Sequence, residues 1–177
     1  MDLDGQVATL RAAIRDVPDF PKPGIVFKDI TTLLRDGELF RRSLDLLSVM
    51  CGDLAADKVV AIESRGFILG GALALRLGAG FVPVRKPGKL PWKSRRASYQ
   101  LEYGSDSLEI HEDALGAGER ALIVDDLIAT GGTARAVGEL VTSLGATVAS
   151  FAFLVELGFL DGRAKLGPSE VRSLIRY

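Results

Sequence analysis

Ala121-Leu-Ile-Val-Asp-Asp-Leu-Ile-Ala-Thr-Gly-Gly-Thr133 places four apolar residues, two acids and a small, glycine-rich turn directly ahead of a helical pattern. The apolar run is too short for a helix and reads as a buried strand. From residue 132 to 144, Ala134, Val137, Leu140, Val141 and Leu144 recur at helical spacing on one face, so a helix follows the turn. The same unit occurs upstream, where Val59-Val60-Ala61-Ile62 passes through Glu63-Ser64-Arg65-Gly66 into a small-residue helix, Phe67 to Leu77. Phe81 to Val84 and Val148 to Leu157 supply two further strands. Short, nearly all-apolar strands that alternate with helices predict an α/β protein with a central, mainly parallel, twisted sheet flanked by helices.

Outside this frame the pattern changes twice. A first helix carries Val7, Leu10 and Ile14, and Pro18-Asp-Phe-Pro-Lys-Pro-Gly24 then forbids helix and stiffens the chain into an extended segment leading to Ile25-Val26-Phe27. Residues 38 to 55 return to helical spacing through Leu39, Phe40, Leu44, Leu47, Met50, Cys51 and Leu54. Between Lys86 and Glu119 a basic, loop-like stretch precedes two short alternating runs, Tyr99 to Tyr103 and Leu108 to His111. Gly104-Ser-Asp106 separates them, which predicts a hairpin projecting from the sheet.

With 177 residues, 47% hydrophobic and 25% charged, the composition suits one globular domain over 1–177. Lys plus Arg number 22 against 23 acids, so no global field draws the chain to nucleic acid or to an anionic membrane, and neither is expected as a partner. The single cysteine, Cys51, excludes an internal disulfide and reads as a buried helix residue. The acidic start does not resemble a signal peptide, and no apolar run reaches the ~18 residues of a membrane span. The expected location is the cytoplasm.

The turn after Val124 carries the chemistry. In an open parallel sheet ligands bind at the carboxyl ends of strands. Gly131 and Gly132 let the backbone curl its N–H groups inward, Thr130 and Thr133 add hydroxyls beside Ala129, and a helix N-terminus favours a dianion. The loop suits one phosphate. Asp125 and Asp126 beside it repel a second phosphate but accept hydrogen bonds from a vicinal diol such as that of ribose. An apolar strand ending in two acids also occurs in nucleotide triphosphatases, but their G-x-x-x-x-G-K-[ST] string is absent, as is a G-x-G-x-x-G fingerprint.

The string Val124-Asp-Asp-Leu-Ile-Ala-Thr-Gly-Gly-Thr133 resembles the signature of the purine phosphoribosyltransferases of the type I fold. Four further blocks resemble the members of that family that act on adenine: Pro18 to Ile30, Glu63-Ser-Arg-Gly-Phe67, Arg85-Lys-Pro-Gly-Lys-Leu-Pro91 and Ser98-Tyr-Gln-Leu-Glu-Tyr-Gly104. The resemblance spans Pro18 to about Glu156. It implies a small N-terminal hood (1–35), a flexible catalytic lid (86–112), a homodimer, and transfer of the 5-phosphoribosyl group of 5-phosphoribosyl 1-pyrophosphate to adenine N9, giving AMP and pyrophosphate. It also implies magnesium, held through the substrate with no direct protein ligand. Residue by residue, Asp125, Asp126, Ala129, Thr130, Gly131, Gly132 and Thr133 would bind the sugar phosphate. Ser64 and Arg65, joined by Arg85, Lys86 and Lys89, would bind the pyrophosphate, with the basic residues after Val84 reaching a neighbouring subunit. A cis peptide would link Glu63 to Ser64. Val26, Phe27 and Lys28 would face Leu127 across the adenine, Lys28 standing where Arg is common. Glu102 would be the general acid or base at the imidazole edge, with Tyr103 beside it in the lid. His111 reads as a strand surface residue. A transferase for 6-oxopurines would differ at the base edge, and a non-catalytic nucleic-acid-binding regulator on this fold would need an added basic face.

Overall fold

The computed structural model of the chain describes residues 2–100 and 105–177, and four carboxyl-edge loops in it follow from one five-stranded sheet. The strands are β3 (Lys58–Ile62), β4 (Gly80–Val84), β7 (Arg120–Ile128), β8 (Thr147–Glu156) and β9 (Val171–Arg176), all parallel, in the order β4-β3-β7-β8-β9. Val59 to Ile62 and Ala121 to Val124 are at most 2% exposed, the burial on both faces that an all-apolar parallel strand requires.

Helix α4 (Arg65–Leu77) carries the chain from β3 outward to β4, and α5 (Gly132–Ser143) carries it from β7 the other way to β8. Right-handed crossovers that run in opposite directions put their helices on opposite faces. The side chains agree. Val60, Ile62, Ile123 and Phe151 pack in one cluster with Val137, Leu140 and Val141 of α5, whereas Val59 and Ala61 meet α4 at Gly70. The topological switch therefore falls between β3 and β7, where a crevice opens at the carboxyl edge.

The hairpin is longer than its alternating runs suggest. Its strands are β5 (Ser94–Gln100) and β6 (Ser105–His111), antiparallel from Ser94↔His111 to Gln100↔Ser105, so Ser94 to Arg96 belong to strand and not to loop. Arg95 donates to the Ser143 carbonyl at the end of α5 (2.5 Å) and Arg96 to Glu109, which explains basic residues in a paired strand. Leu108 and Ile110 are 2% and 0% exposed in the same core cluster as α5. Leu101, Glu102, Tyr103 and Gly104 lie outside the described residues. His111 is not a plain surface residue: its Nε2 is buried with no hydrogen-bond partner, beside Trp92 (ring centroids 6.4 Å apart).

Two compact units divide the chain, residues 1–46 and 47–177. The first contains α1 (Leu3–Ala13), α2 (Thr31–Leu34), most of α3 (Gly37–Cys51) and a small antiparallel pair, β1 (Arg15–Pro18) with β2 (Val26–Asp29). The proline-rich segment turns between these strands through a cis Phe20–Pro21 bond. Cys51 is free and 1% exposed on α3, and burial pushes its thiol up to about 11. No helix among the described residues is long and apolar enough to cross a membrane.

A Cβ added at Gly70 would lie 2.5 Å from the Ala61 Cβ, while one at Gly71 would meet nothing within 4 Å. Both sit in α4, where alanine gains about 1 kcal/mol of helix propensity over glycine. Gly71→Ala is expected to raise the melting temperature by about 2–4 °C, and Gly70→Ala to lower it, because overpacking costs about 1–3 kcal/mol and outweighs that gain. Thermal denaturation of the two variants side by side checks the packing of α4 on β3.

Candidate functional site

The crevice at the switch point is built from the two turns that leave β3 and β7. Gly66 lets them meet: a Cβ there would stand 2.8 Å from Asp125 Oδ1 and 3.1 Å from the Val124 carbonyl. With no side chain in the way, Arg65 at the start of α4 donates through Nε to Asp126 Oδ2 at 2.5 Å. The Asp126 side chain is 7% exposed and that of Arg65 43%, so the pair buries its anion and leaves guanidinium surface toward solvent. The Glu63–Ser64 peptide preceding Arg65 is cis, as the resemblance implied.

Burial, and then the negative charge of Asp126, pushes Asp125 well above the usual carboxylate range. One of its oxygens accepts the Asp126 backbone N–H at 2.9 Å. β7 runs four residues past Val124, so Asp125 to Ile128 are paired strand and the glycine turn begins after Ile128; strand end and turn together surround a small cavity of about 110 Å³ lined by Asp125, Leu127 to Ala134 and Phe153. Gly131 adopts φ +78°, and α5 starts there without a side-chain cap, so its first turn is open to an anion. A Cβ on Gly131 would be 2.2 Å from the Gly162 carbonyl, which shows what backs the loop. The 158–166 segment presses on it from behind. Nothing periodic marked that segment in the sequence, because two short 3₁₀ turns stand there in place of a crossover helix.

Glu63 ties the first turn to the next one. Its carboxylate accepts from Arg85 Nε and Nη2 (3.2 and 3.1 Å) and from the Lys86 backbone N–H (3.0 Å), and the Arg85 guanidinium holds its carboxyl below the usual range. Arg85 also donates to the Lys89 carbonyl at 2.9 Å. Lys86 Nζ sits 2.9 Å from Asp106 on β6, and each of these two groups favours the charged form of the other. In the sequence Glu63 reads as one end of an implied cis peptide and Asp106 as part of a turn; their pairing with Arg85 and Lys86 is not legible there, because the partners lie about 20 residues away with no distinctive spacing.

The residues read as the base slot lie in two different units. Val26, Phe27 and Lys28 form β2 in the first unit: Val26 is 48% exposed, Phe27 is edge-on to Phe20 at 5.2 Å, and Lys28 Nζ lies 2.6 Å from Asp16. Leu127 belongs to β7 in the second unit and lines the loop cavity. Glu102 and Tyr103 lie outside the described residues.

Comparison with known proteins accords with this geometry. The family model described as "Phosphoribosyl transferase domain" matches residues 47–172, which begins where the second unit does. A curated relative from Anaeromyxobacter sp. (strain Fw109-5), an adenine phosphoribosyltransferase, is 55% identical over 177 residues and covers 100% of both chains. The Thermotoga maritima adenine phosphoribosyltransferase is 56% identical over 168 residues, covering 95% of this chain and 97% of its own. Among solved structures, the Thermoanaerobacter pseudethanolicus adenine phosphoribosyltransferase superimposes with a TM-score of 0.95 at 53% identity, covering 97% of this chain and 99% of that one. The Saccharomyces cerevisiae enzyme, solved with an imino-altritol bisphosphate and adenine, gives a TM-score of 0.93 at 44% identity over 97% and 99% of the two chains. With the central sheet and the switch-point crevice in place, the chain belongs to the phosphoribosyltransferase family and, within it, to the adenine phosphoribosyltransferases.

Proposed function

We propose that the chain transfers the 5-phosphoribosyl group of 5-phosphoribosyl 1-pyrophosphate to N9 of adenine, forming the N9–C1 bond as the C1–O bond to pyrophosphate breaks. The observation that carries this reading is the meeting of the Asp125–Thr133 loop and the Arg65 turn at one switch point. A reaction of this kind gains rate from groups that hold the sugar phosphate and meet the charge developing on the leaving group.

Thr130 to Thr133 and the first turn of α5 hold the 5-phosphate, while Asp125 and Asp126 accept from the ribose hydroxyls. Arg65 and the Ser64 turn, with Lys86 and Lys89, stabilise the pyrophosphate, and Arg85 fixes the place of Glu63 between them. Magnesium enters as the ion chelated by the pyrophosphate of the substrate. It would be held through the oxygens of the substrate, with no direct protein ligand, and would offset negative charge on the leaving group. Val26, Phe27, Lys28 and Leu127 contact the adenine, and Phe27 offers it a stacking face. The Lys28 ammonium pairs with Asp16; if the backbone alone reads the base, Lys in place of Arg is harmless, and if a planar guanidinium is needed it is not. Glu102 takes up the proton released as N9 is alkylated, and Tyr103 lies beside it in the lid. The functional unit is a homodimer in the cytoplasm, in which basic residues after Val84 adjoin the neighbouring leaving group.

The direct test offers adenine, hypoxanthine, guanine and xanthine separately to the purified chain with magnesium and 5-phosphoribosyl 1-pyrophosphate. Adenine alone is expected to release pyrophosphate at a substantial rate, and no release with adenine rejects the reading. Glu102→Gln is expected to lower kcat by about 10²–10⁴-fold with little change in the dissociation constant of the sugar pyrophosphate, since it removes proton transfer and not an anion contact. An unchanged kcat would remove Glu102 from the mechanism.

Asp125 gives a pH-dependent prediction. A carboxyl whose pKa is raised by folding destabilises the folded state once it ionises, so the free protein loses that stability as pH rises through the folded pKa. Asp125→Asn keeps the acceptor for the Asp126 N–H and cannot ionise. It is expected to melt higher than the parent at pH 8 and close to it at pH 4, while KM for 5-phosphoribosyl 1-pyrophosphate rises about tenfold or more. Equal melting temperatures at pH 8 would show that the buried charge carries no cost.

A further inference from the structure

Glu109 stands where a solvated residue belongs. It alternates along β6 with Leu108 and Ile110, which point into the core, so its side chain lies on the outward face of the hairpin. Yet it is 6% exposed. What covers it is basic: Arg96 of β5 donates to Oε1 through Nε and Nη2 (3.0 and 2.7 Å), and the backbone N–H of Gly88 donates to Oε2 at 3.0 Å. The Glu109 backbone pairs both ways with Arg85, at 2.9 and 2.7 Å, and Lys86 reaches Asp106 three residues earlier on the same strand.

The turn 85–89 is thus held by two carboxylates at two of its own backbone N–H groups, Lys86 on Glu63 and Gly88 on Glu109. One anchor belongs to the turn that bears Arg65, and the other to the strand that follows Glu102 in the chain. Exposed ion pairs hold side chains weakly against water, but a buried carboxylate has no solvent to fall back on, so its partners stay fixed.

We propose that Glu109 is a positioning residue for the leaving group, locking the basic turn 85–89 to the hairpin so that Lys86 and Lys89 meet pyrophosphate in a fixed relation to the β5–β6 stem. This rests on the assignment of those lysines to pyrophosphate made above. It separates the two anion sites: Arg96 and Gly88, which hold the Glu109 carboxylate, lie outside the sugar phosphate loop, whereas the pyrophosphate side depends on it.

Magnesium pyrophosphate and ribose 5-phosphate are titrated separately by calorimetry into the full-length parent, Glu109→Gln, Arg96→Gln, Lys86→Ala/Lys89→Ala, and that double variant with Glu109→Gln added. Glu109→Gln is expected to weaken pyrophosphate about tenfold or more, the scale of a lost charge-assisted hydrogen bond, while ribose 5-phosphate changes less than about twofold. Arg96→Gln should show the same selectivity at about threefold, and Glu109→Gln should have no further effect once the lysines are gone, because it acts through them. Equal weakening of both ligands, no weakening of pyrophosphate, or full additivity with the lysine changes overturns the proposal. Should Glu109→Gln fail to fold, Arg96→Gln decides: selective loss of pyrophosphate supports the link, and equal or no loss rejects it. A parent chain that binds neither ligand would instead reject the functional reading itself.

Discussion

Arg65 can pair with the buried Asp126 because the residue after it has no side chain. Gly66 stands within 3.1 Å, at its would-be Cβ, of both the Val124 carbonyl and Asp125 Oδ1, so the start of α4 lies directly against the end of β7. That contact joins two turns 60 residues apart in sequence into one crevice and sets Asp125 in its unusual state. Burial without a cation of its own raises the proton affinity of Asp125, while its neighbour takes the arginine. Two adjacent carboxylates in one sequence motif therefore have different chemistry.

The crevice is supported from behind as much as from within. A Cβ on Gly131 would meet the Gly162 carbonyl at 2.2 Å, one on Gly162 would meet the Ala129 carbonyl at 2.2 Å, and Leu157 donates to the Ile128 carbonyl at 3.0 Å, so the loop between Ile128 and Gly132 has a rigid backing. A loop that must present several N–H groups to one anion gains from such support, because little ordering remains to be done on binding. On the other flank, the ion pairs Glu63–Arg85 and Glu109–Arg96, joined by the backbone pairing of Arg85 with Glu109, run from the Arg65 turn to the hairpin. Of the six basic residues between Arg85 and Arg96, Arg85, Lys86 and Arg96 pair with acids from two other segments, Glu63 and, on β6, Asp106 and Glu109.

Much of this was legible in the amino-acid string. The four nearly all-apolar strands from Val59 to Leu157 and their two helices appear where periodicity places them, and the residues of the phosphate loop line a single cavity. The misses share a cause. Strand β9 is an edge strand with Arg172, Ser173 and Arg176 among its apolar residues, and it follows 3₁₀ turns with no helical period. Ser94 to Arg96 looked like a loop because their charges are satisfied by Ser143 and Glu109, partners 13 or more residues away. His111 looked solvated because nothing local shows that Trp92 and the surrounding structure enclose its Nε2.

The sequence by itself determined the parallel α/β sheet, the glycine turn at the end of β7 and, through its motifs, the family. These depend on local periodicity and on residue types within a dozen positions, which a linear reading captures. Only the tertiary structure decided which of Asp125 and Asp126 meets Arg65, that Gly162 backs the loop, and that Glu63 and Glu109 hold the basic turn. Each of those outcomes depends on which side chains face one another across the switch between β3 and β7 or across the hairpin. Sheet order and strand register set those facings, and no single segment encodes either.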